Sequence, residues 1–216
     1  TYPTDAPADP KATSYSFHLR AMNILGAVSF QIDKVLTFHY LGAIQLASYS
    51  FAIALPQQLK QLQKILGTLV FPRFSNRTID SIRENIWGKA GRLFLLMALI
   101  VFCYIFLAPY IFKLFFPQYL GSVFYSQLYS LTLLVSPVVF FKQALTAHKQ
   151  TRALYISQIF PPILKIVLLI IVTPLFGIVG IIGALLVTDV VGFITTALAF
   201  SFAQKEDSIL PTEDSL

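Results

Sequence analysis

Four polar residues recur at helical spacing inside an otherwise apolar stretch: Gln57, Lys60, Gln61 and Lys64. In a helix over 40–72, these intervals place all four side chains on one stripe. A lysine near the bilayer centre costs roughly 2.5 to 3.5 kcal/mol, so ionisable residues inside a membrane usually line a cavity or a substrate path. The stripe therefore predicts a polar cavity within a membrane.

Snorkelling, in which a lysine extends its stem to the headgroups, is the alternative explanation for these two lysines. With a rise of about 1.5 Å per residue, Lys64 lies roughly 12 Å from the helix end at Pro72, and Lys60 lies about 18 Å from it. Lys64 can reach the headgroups and Lys60 cannot. Lys60 is the better cavity candidate, and both interpretations stay open.

Further charges lie in the first apolar segment, which contains Arg20, Asp33 and Lys34. Arg20 is close enough to the start of the segment to lie in the interface. Asp33 and Lys34 are adjacent and point about 100° apart on a helix, so separate partners are expected rather than a direct pair. They are candidates either for ion coupling or for a structural ion pair.

Two more deep charges lie in the last two apolar segments. Lys165 follows Pro161 and Pro162, which can kink a helix, and it lies too deep to snorkel easily. Asp189 is either a counter-ion of one of the lysines or a proton site. The deep charges are thus four lysines and two aspartates: Lys34, Lys60, Lys64 and Lys165 against Asp33 and Asp189. The excess of two positive charges would attract an anion such as a phosphate or pyrophosphate group.

The composition is that of an integral membrane protein. Of 216 residues, 56% are hydrophobic and 12% are charged, about half the charged fraction of a soluble domain. The uncharged run 93–112 is twenty residues long, enough to cross about 30 Å of hydrocarbon as a helix. Because whole runs are apolar rather than alternating, an all-α fold is expected.

Six transmembrane helices are predicted, most of them joined by short turns that contain Gly or Pro, at 40–42, 117–121 and 174–177. Their approximate ranges are 14–38, 41–70, 93–115, 122–145, 154–175 and 178–202. Residues 1–12 are expected to be a polar linker, 13–203 the transmembrane lobe and 204–216 a polar tail. An amphipathic interfacial helix is predicted over 76–89. The start at Thr1 suggests a fragment of a longer protein.

The basic residues indicate the orientation. They collect in the connections after the second and fourth predicted helices, whereas the opposite connections contain only Lys113. The positive-inside rule therefore places both ends of the chain in the cytoplasm of a multi-pass cell-membrane protein. The net charge of +6 follows this membrane pattern and not that of a nucleic-acid-binding patch.

No enzymatic site is predicted. The three histidines are scattered, no phosphate-binding GxxxxGK[ST] loop is present, and Cys103 lies in an apolar run where a packing role is expected. Neither a metal site nor a cofactor is expected.

Several short motifs occur in an order that covers nearly the whole chain. They are Gln31-Ile32-Asp33-Lys34-Val35-Leu36, Tyr40-Leu41-Gly42, Ala47-Ser48-Tyr49-Ser50-Phe51-Ala52, Phe71-Pro72, Phe116-Pro117-Gln118-Tyr119 and Pro174-Leu175-Phe176-Gly177-Ile178-Val179-Gly180. In these motifs the chain resembles polysaccharide (O-antigen-type) flippases of the multidrug/oligosaccharidyl-lipid/polysaccharide (MOP) exporter superfamily.

The resemblance implies a six-helix C-terminal lobe of a MATE-like transporter fold, paired with an N-terminal lobe of the same protein. It implies transport of an anionic, undecaprenyl-pyrophosphate-linked oligosaccharide across the cytoplasmic membrane by alternating access, driven by an ion or proton gradient. Membrane lipids and a polysaccharide polymerase are further expected partners. By position, the stripe residues and Lys165 are candidates for binding the pyrophosphate, while Asp33, Lys34, Asp189 and Arg20 are candidates for coupling or ion pairing.

Two alternatives remain. A multidrug or toxin extrusion cation antiporter of the same superfamily should prefer acidic cavity residues, and the positive balance argues against it. A non-transporting membrane scaffold of a polysaccharide assembly complex would not depend on the deep lysines.

Overall fold

A computed structural model describes the backbone of residues 10–75, 79–147 and 151–207, with side chains over 28–61, 86–145 and 159–201. Every element in these ranges is a helix. The α-helices are α1 (Pro10–Ser75), α2 (Ile79–Phe115), α3 (Val123–Ser130), α4 (Val138–Ala147) and α5 (Thr151–Asp207), with 3-10 helices at Pro117–Ser122 and Leu131–Val135. The prediction of an all-α fold is confirmed.

Three described stretches are long and apolar enough to cross a membrane: Val28–Gln61, Ile86–Phe115 and Ile159–Ser201. The bent pair Pro117–Val135 and Val138–Leu145, whose axes differ by 42°, is a fourth candidate. Helices satisfy their own backbone hydrogen bonds and can therefore lie in hydrocarbon. The chain is accordingly a multi-pass membrane protein.

The first long helix, α1, reverses direction at Gly42. The backbone there has φ 84° and ψ 178°, outside the helical region. Tyr49 donates a hydrogen bond to Asp33, sixteen residues earlier in the chain. Sixteen residues of a straight helix span about 24 Å, which two side chains cannot bridge. The two halves of α1 therefore lie side by side as a hairpin.

The last long helix, α5, reverses in the same way at Gly177, where φ is 58° and ψ is −140°. A Cβ atom added to Gly180 would lie 2.8 Å from the carbonyl oxygen of Val172, and one added to Gly192 would lie 3.6 Å from Pro161. Both pairs are centred on the turn, so the two halves of α5 pack antiparallel along much of their length. Pro161 itself lies within helical backbone.

Between α2 and α5 the chain follows a broken path. The predicted helix over 122–145 is divided into α3, the 3-10 helix Leu131–Val135 and α4. The Ser136 hydroxyl donates to the Leu133 carbonyl, and Pro137, which has no N–H, prevents a regular helix from continuing there. The break therefore has a local cause in the sequence.

Two buried apolar clusters hold the bundle together. One joins α2, α4 and the end of α5: Ile86, Ala90, Phe141, Ala144, Leu145, Ala199 and Phe200. The other joins α1, α3 and both halves of α5: Tyr49, Ile53, Tyr129, Leu169, Ile178, Ile181, Ile182 and Ala184. Because the second cluster joins the two hairpins, it also positions the charged residues that project between them.

The three predicted turns at 40–42, 117–121 and 174–177 coincide with the reversal at Gly42, the 3-10 helix Pro117–Ser122 and the reversal at Gly177. Residues 79–89 of the predicted interfacial helix form the first turns of α2. Residues 76–78, most of the predicted linker and most of the predicted tail lie outside the described residues.

The turn at Gly42 yields a prediction about stability. A Cβ added to Gly42 meets no atom within 4 Å, so Gly42→Ala should act only through the backbone, whose conformation is almost exclusive to glycine. We expect the free energy of unfolding to fall by about 1–3 kcal/mol, measured by unfolding in sodium dodecyl sulfate followed by circular dichroism.

The matched control for this substitution is Gly88→Ala. Gly88 lies inside α2 with equally open space around its Cα, and alanine is favoured over glycine there by up to about 1 kcal/mol. Unchanged stability in Gly42→Ala would show that the chain does not reverse at this glycine.

Candidate functional site

A buried carboxylate, Asp33, lies between the two hairpins. Asp33 is only 5% exposed. Its Oδ2 atom accepts the hydrogen bond from Tyr49, and its Oδ1 atom lies 3.9 Å from the Lys165 Nζ atom. Lys165 also donates a hydrogen bond to the Ser29 carbonyl. The first half of α1 is thereby joined by one lysine to the first half of α5.

The Oδ1 atom of Asp33 lacks the hydrogen bond that its Oδ2 atom accepts. Among the described residues it has no hydrogen-bond partner, because 3.9 Å is an ion-pair distance and exceeds that of a hydrogen bond. One turn later, the Thr37 hydroxyl donates to the Asp33 backbone carbonyl at 2.5 Å. Contacts with Tyr49 and Lys165 therefore hold this buried carboxylate in place.

A second ion pair, between Lys60 and Asp189, joins the second halves of the two hairpins. The Lys60 Nζ atom lies 2.6 Å from Oδ2 of Asp189, and the two side chains are 29% and 35% exposed. The ammonium group also lies 5.4 Å from the centre of the Tyr129 ring, within the range of a cation–π interaction. Unlike the first pair, this one remains partly accessible at the surface of the helical bundle.

The two pairs form one electrostatic cluster. Lys165 interacts electrostatically with Asp189 and Lys60 as well as with Asp33, and the Tyr129 phenol interacts electrostatically with both carboxylates. Two ammonium groups and two carboxylates sum to zero. The positive excess expected from the sequence is therefore absent from these four residues, and depends on Lys34 and Lys64.

The other predicted site residues lie outside the two pairs. Gln57 and Lys34 are half-buried and Gln61 is exposed, and none of the three takes part in either ion pair. The side chains of Lys64 and Arg20 lie outside the described residues. Asp33 does find a partner other than Lys34, as expected from their angular separation.

Sequence reasoning did not identify the two tyrosines, Tyr49 and Tyr129, as members of the site. Tyr49 could have been found, because a tight turn at Gly42 brings together residues at similar distances before and after it, and Asp33 and Tyr49 are such a pair. No comparable signal exists for Tyr129, because its position depends on the packing of α3 against both hairpins.

The part of the chain with described side chains contains no group of three His, Cys, Asp or Glu residues that could hold a metal ion. What the site offers is two ammonium groups, two carboxylates and two phenolic rings. Such groups can bind a charged ligand or exchange partners with one another.

The fold and these ion pairs define the chain as a multi-pass helical membrane protein with charged residues between its hairpins. Comparisons with protein-family models, with curated proteins and with solved structures found no match.

The different burial of the two pairs predicts different stabilities. Asp33→Asn leaves the Lys165 ammonium group buried without a counter-charge, and we expect the free energy of unfolding to fall by roughly 3 kcal/mol. Asp189→Asn breaks a half-exposed pair and should cost no more than about 1 kcal/mol. Unfolding in sodium dodecyl sulfate measures both.

The double variant Asp33→Asn/Lys165→Met is the control, because it removes both charges of the buried pair together. It should recover part of the stability lost in Asp33→Asn. Equal losses for Asp33→Asn and Asp189→Asn would contradict the assignment of the first pair to the interior of the helical bundle.

Proposed function

We propose that this chain is one lobe of a membrane transporter that flips a polyprenyl-pyrophosphate-linked oligosaccharide across the cytoplasmic membrane for cell-surface polysaccharide synthesis. The observation that carries the proposal is the half-exposed ion pair of Lys60 and Asp189 in a largely apolar bundle. Facing lipid, such a pair would be costly, whereas facing a water-filled cavity it is tolerated. The resemblance to polysaccharide flippases supports the same function.

The two hairpins support a six-helix lobe. If each half of α1 and each half of α5 crosses the membrane, these helices supply four crossings. The helix α2 and the broken segment from Pro117 to Ala147 would supply the other two. Six crossings place both ends of the chain on one side, and the basic connections favour the cytoplasmic side. This is the arrangement of a C-terminal lobe in a MATE-like fold.

In this proposal the polar stripe on the second half of α1 faces a cavity shared with an N-terminal lobe. The pyrophosphate, which carries the charge of the substrate head group, binds to the ammonium group of Lys60, with Gln57, Gln61 and Lys64 along the same stripe. Rocking of the lobes opens the cavity alternately to the two sides, while the polyprenyl chain stays in lipid. Lys165 holds Asp33 and positions the hairpins.

One observation favours a cation antiporter as a second candidate. Because the four central charges sum to zero, the described cluster has as many acidic as basic residues. The buried Oδ1 atom of Asp33 also has no hydrogen-bond partner among the described residues, so it could take up a proton. The two candidates differ in the charge of the transported molecule, so a transport assay separates them.

Genetic complementation tests the proposal. The full-length protein carrying Lys60→Gln should fail to restore surface polysaccharide in cells whose own flippase is deleted, and lipid-linked precursor should accumulate, because the pyrophosphate loses its counter-charge. We expect export to fall at least tenfold, since charge-assisted hydrogen bonds are worth roughly 1.5–3 kcal/mol. Surface polysaccharide and precursor are measured together.

The control is Lys113→Gln, which removes one positive charge from an exposed position at the end of α2 and should leave export unchanged. Membrane levels of each variant are compared by immunoblotting. Normal export by Lys60→Gln would favour the scaffold interpretation. Export of organic cations, with no effect on polysaccharide, would favour the antiporter.

A further inference from the structure

The two ion pairs differ in how deeply the lysine is buried and in the groups that hold it. Lys165 is 13% exposed at its side chain and contacts both Asp33 and the Ser29 carbonyl. Lys60 is 29% exposed and contacts one carboxylate and the face of one ring. An ammonium group has three donors, so Lys60 keeps donor capacity on its accessible side. Lys60 can exchange its carboxylate partner without dismantling the interior.

We propose that Asp189 is an internal competitor of the transported anion, and that a phosphate group displaces it from Lys60 when the ligand binds. This inference rests on the function proposed for the same site. A carboxylate and a phosphate oxygen form the same kind of charge-assisted hydrogen bond with an ammonium group. Asp189 already occupies the position 2.6 Å from the Lys60 Nζ atom, so a phosphate group that binds at that position has to displace it.

The Tyr129 ring fixes the place at which the exchange occurs. It lies 5.4 Å from the Lys60 Nζ atom and is itself largely buried in the cluster that joins the hairpins. The cation–π contact does not involve Asp189, so it persists when the carboxylate leaves. The ammonium group therefore stays at the same point, and only its anionic partner changes.

After displacement Asp189 keeps its electrostatic interaction with Lys165. This interaction lowers the free-energy cost of losing the contact with Lys60. When the ligand leaves, Asp189 returns to Lys60, so neither charge is left bare between the hairpins. Without a ligand, the four charges of the two ion pairs sum to zero. With a phosphate group bound, the same site carries a net negative charge, so the empty and loaded states of the transporter differ in charge.

The test is the binding of inorganic pyrophosphate to the full-length protein in detergent, measured by isothermal titration calorimetry. Asp189→Asn removes the competitor and should lower the Kd for pyrophosphate roughly two- to fivefold. This factor corresponds to the free energy of a half-exposed ion pair. Lys60→Gln should abolish binding. In the double variant Lys60→Gln/Asp189→Asn no gain in affinity should appear, because no lysine is there to be released.

Asp80→Asn is the matched control, since it removes the same charge from the first turn of α2 and should leave the Kd unchanged. If Asp189→Asn does not fold, Asp189→Ser tests the same competition. An unchanged or higher Kd in the folded variant overturns the proposal, as does a similar gain in Asp80→Asn.

The outcomes also separate this inference from the proposed function. If the wild-type protein binds pyrophosphate and Asp189→Asn does not bind it more tightly, the competition is disproved and the flippase proposal stands. If the wild-type protein does not bind pyrophosphate at all, both the competition and the anion path through Lys60 are disproved.

Discussion

The structure depends on one constraint: a charged side chain between membrane helices has to be paired or hydrated. Lys165 meets it by contacting Asp33 and the Ser29 carbonyl, and in doing so it fixes the first half of α5 against the first half of α1. The second pair, Lys60 and Asp189, fixes the second halves together. Because each lysine and its carboxylate partner lie on different helical segments, the charges specify how the hairpins pack, which an apolar interface alone specifies less strictly.

The glycine turns make this arrangement possible. The positive φ angles of Gly42 and Gly177 reverse the chain without a long connection, so each hairpin presents two helical faces to the other. Tyr49 then reaches back to Asp33, and Tyr129 of α3 packs into the buried cluster that joins the two hairpins. Backbone conformation, apolar packing and charge pairing therefore depend on one another in the same region.

The sequence predicted the all-α membrane class and the turn positions because long apolar runs and turn-forming Gly or Pro residues are local signals. It also identified Asp33, Lys60, Lys165 and Asp189 as deep charges. It could not predict which charges pair, because pairing depends on how the hairpins pack. For that reason the positive excess expected at the site is not found among these four residues. Pro137 is a local signal for a break in a helix, and the prediction of one helix over 122–145 overlooked it.

In the proposed transporter the polar stripe faces water inside the membrane. The most direct test is labelling of single cysteines by a charged, membrane-impermeant methanethiosulfonate reagent applied to both sides of membranes, in a Cys103→Ser background. Gln61→Cys and Leu99→Cys are the informative pair, because both positions are exposed on the bundle. Rapid labelling at 61 with none at 99 is the predicted result. Equal protection of both positions from the reagent would show that the stripe faces lipid or packed protein and not water.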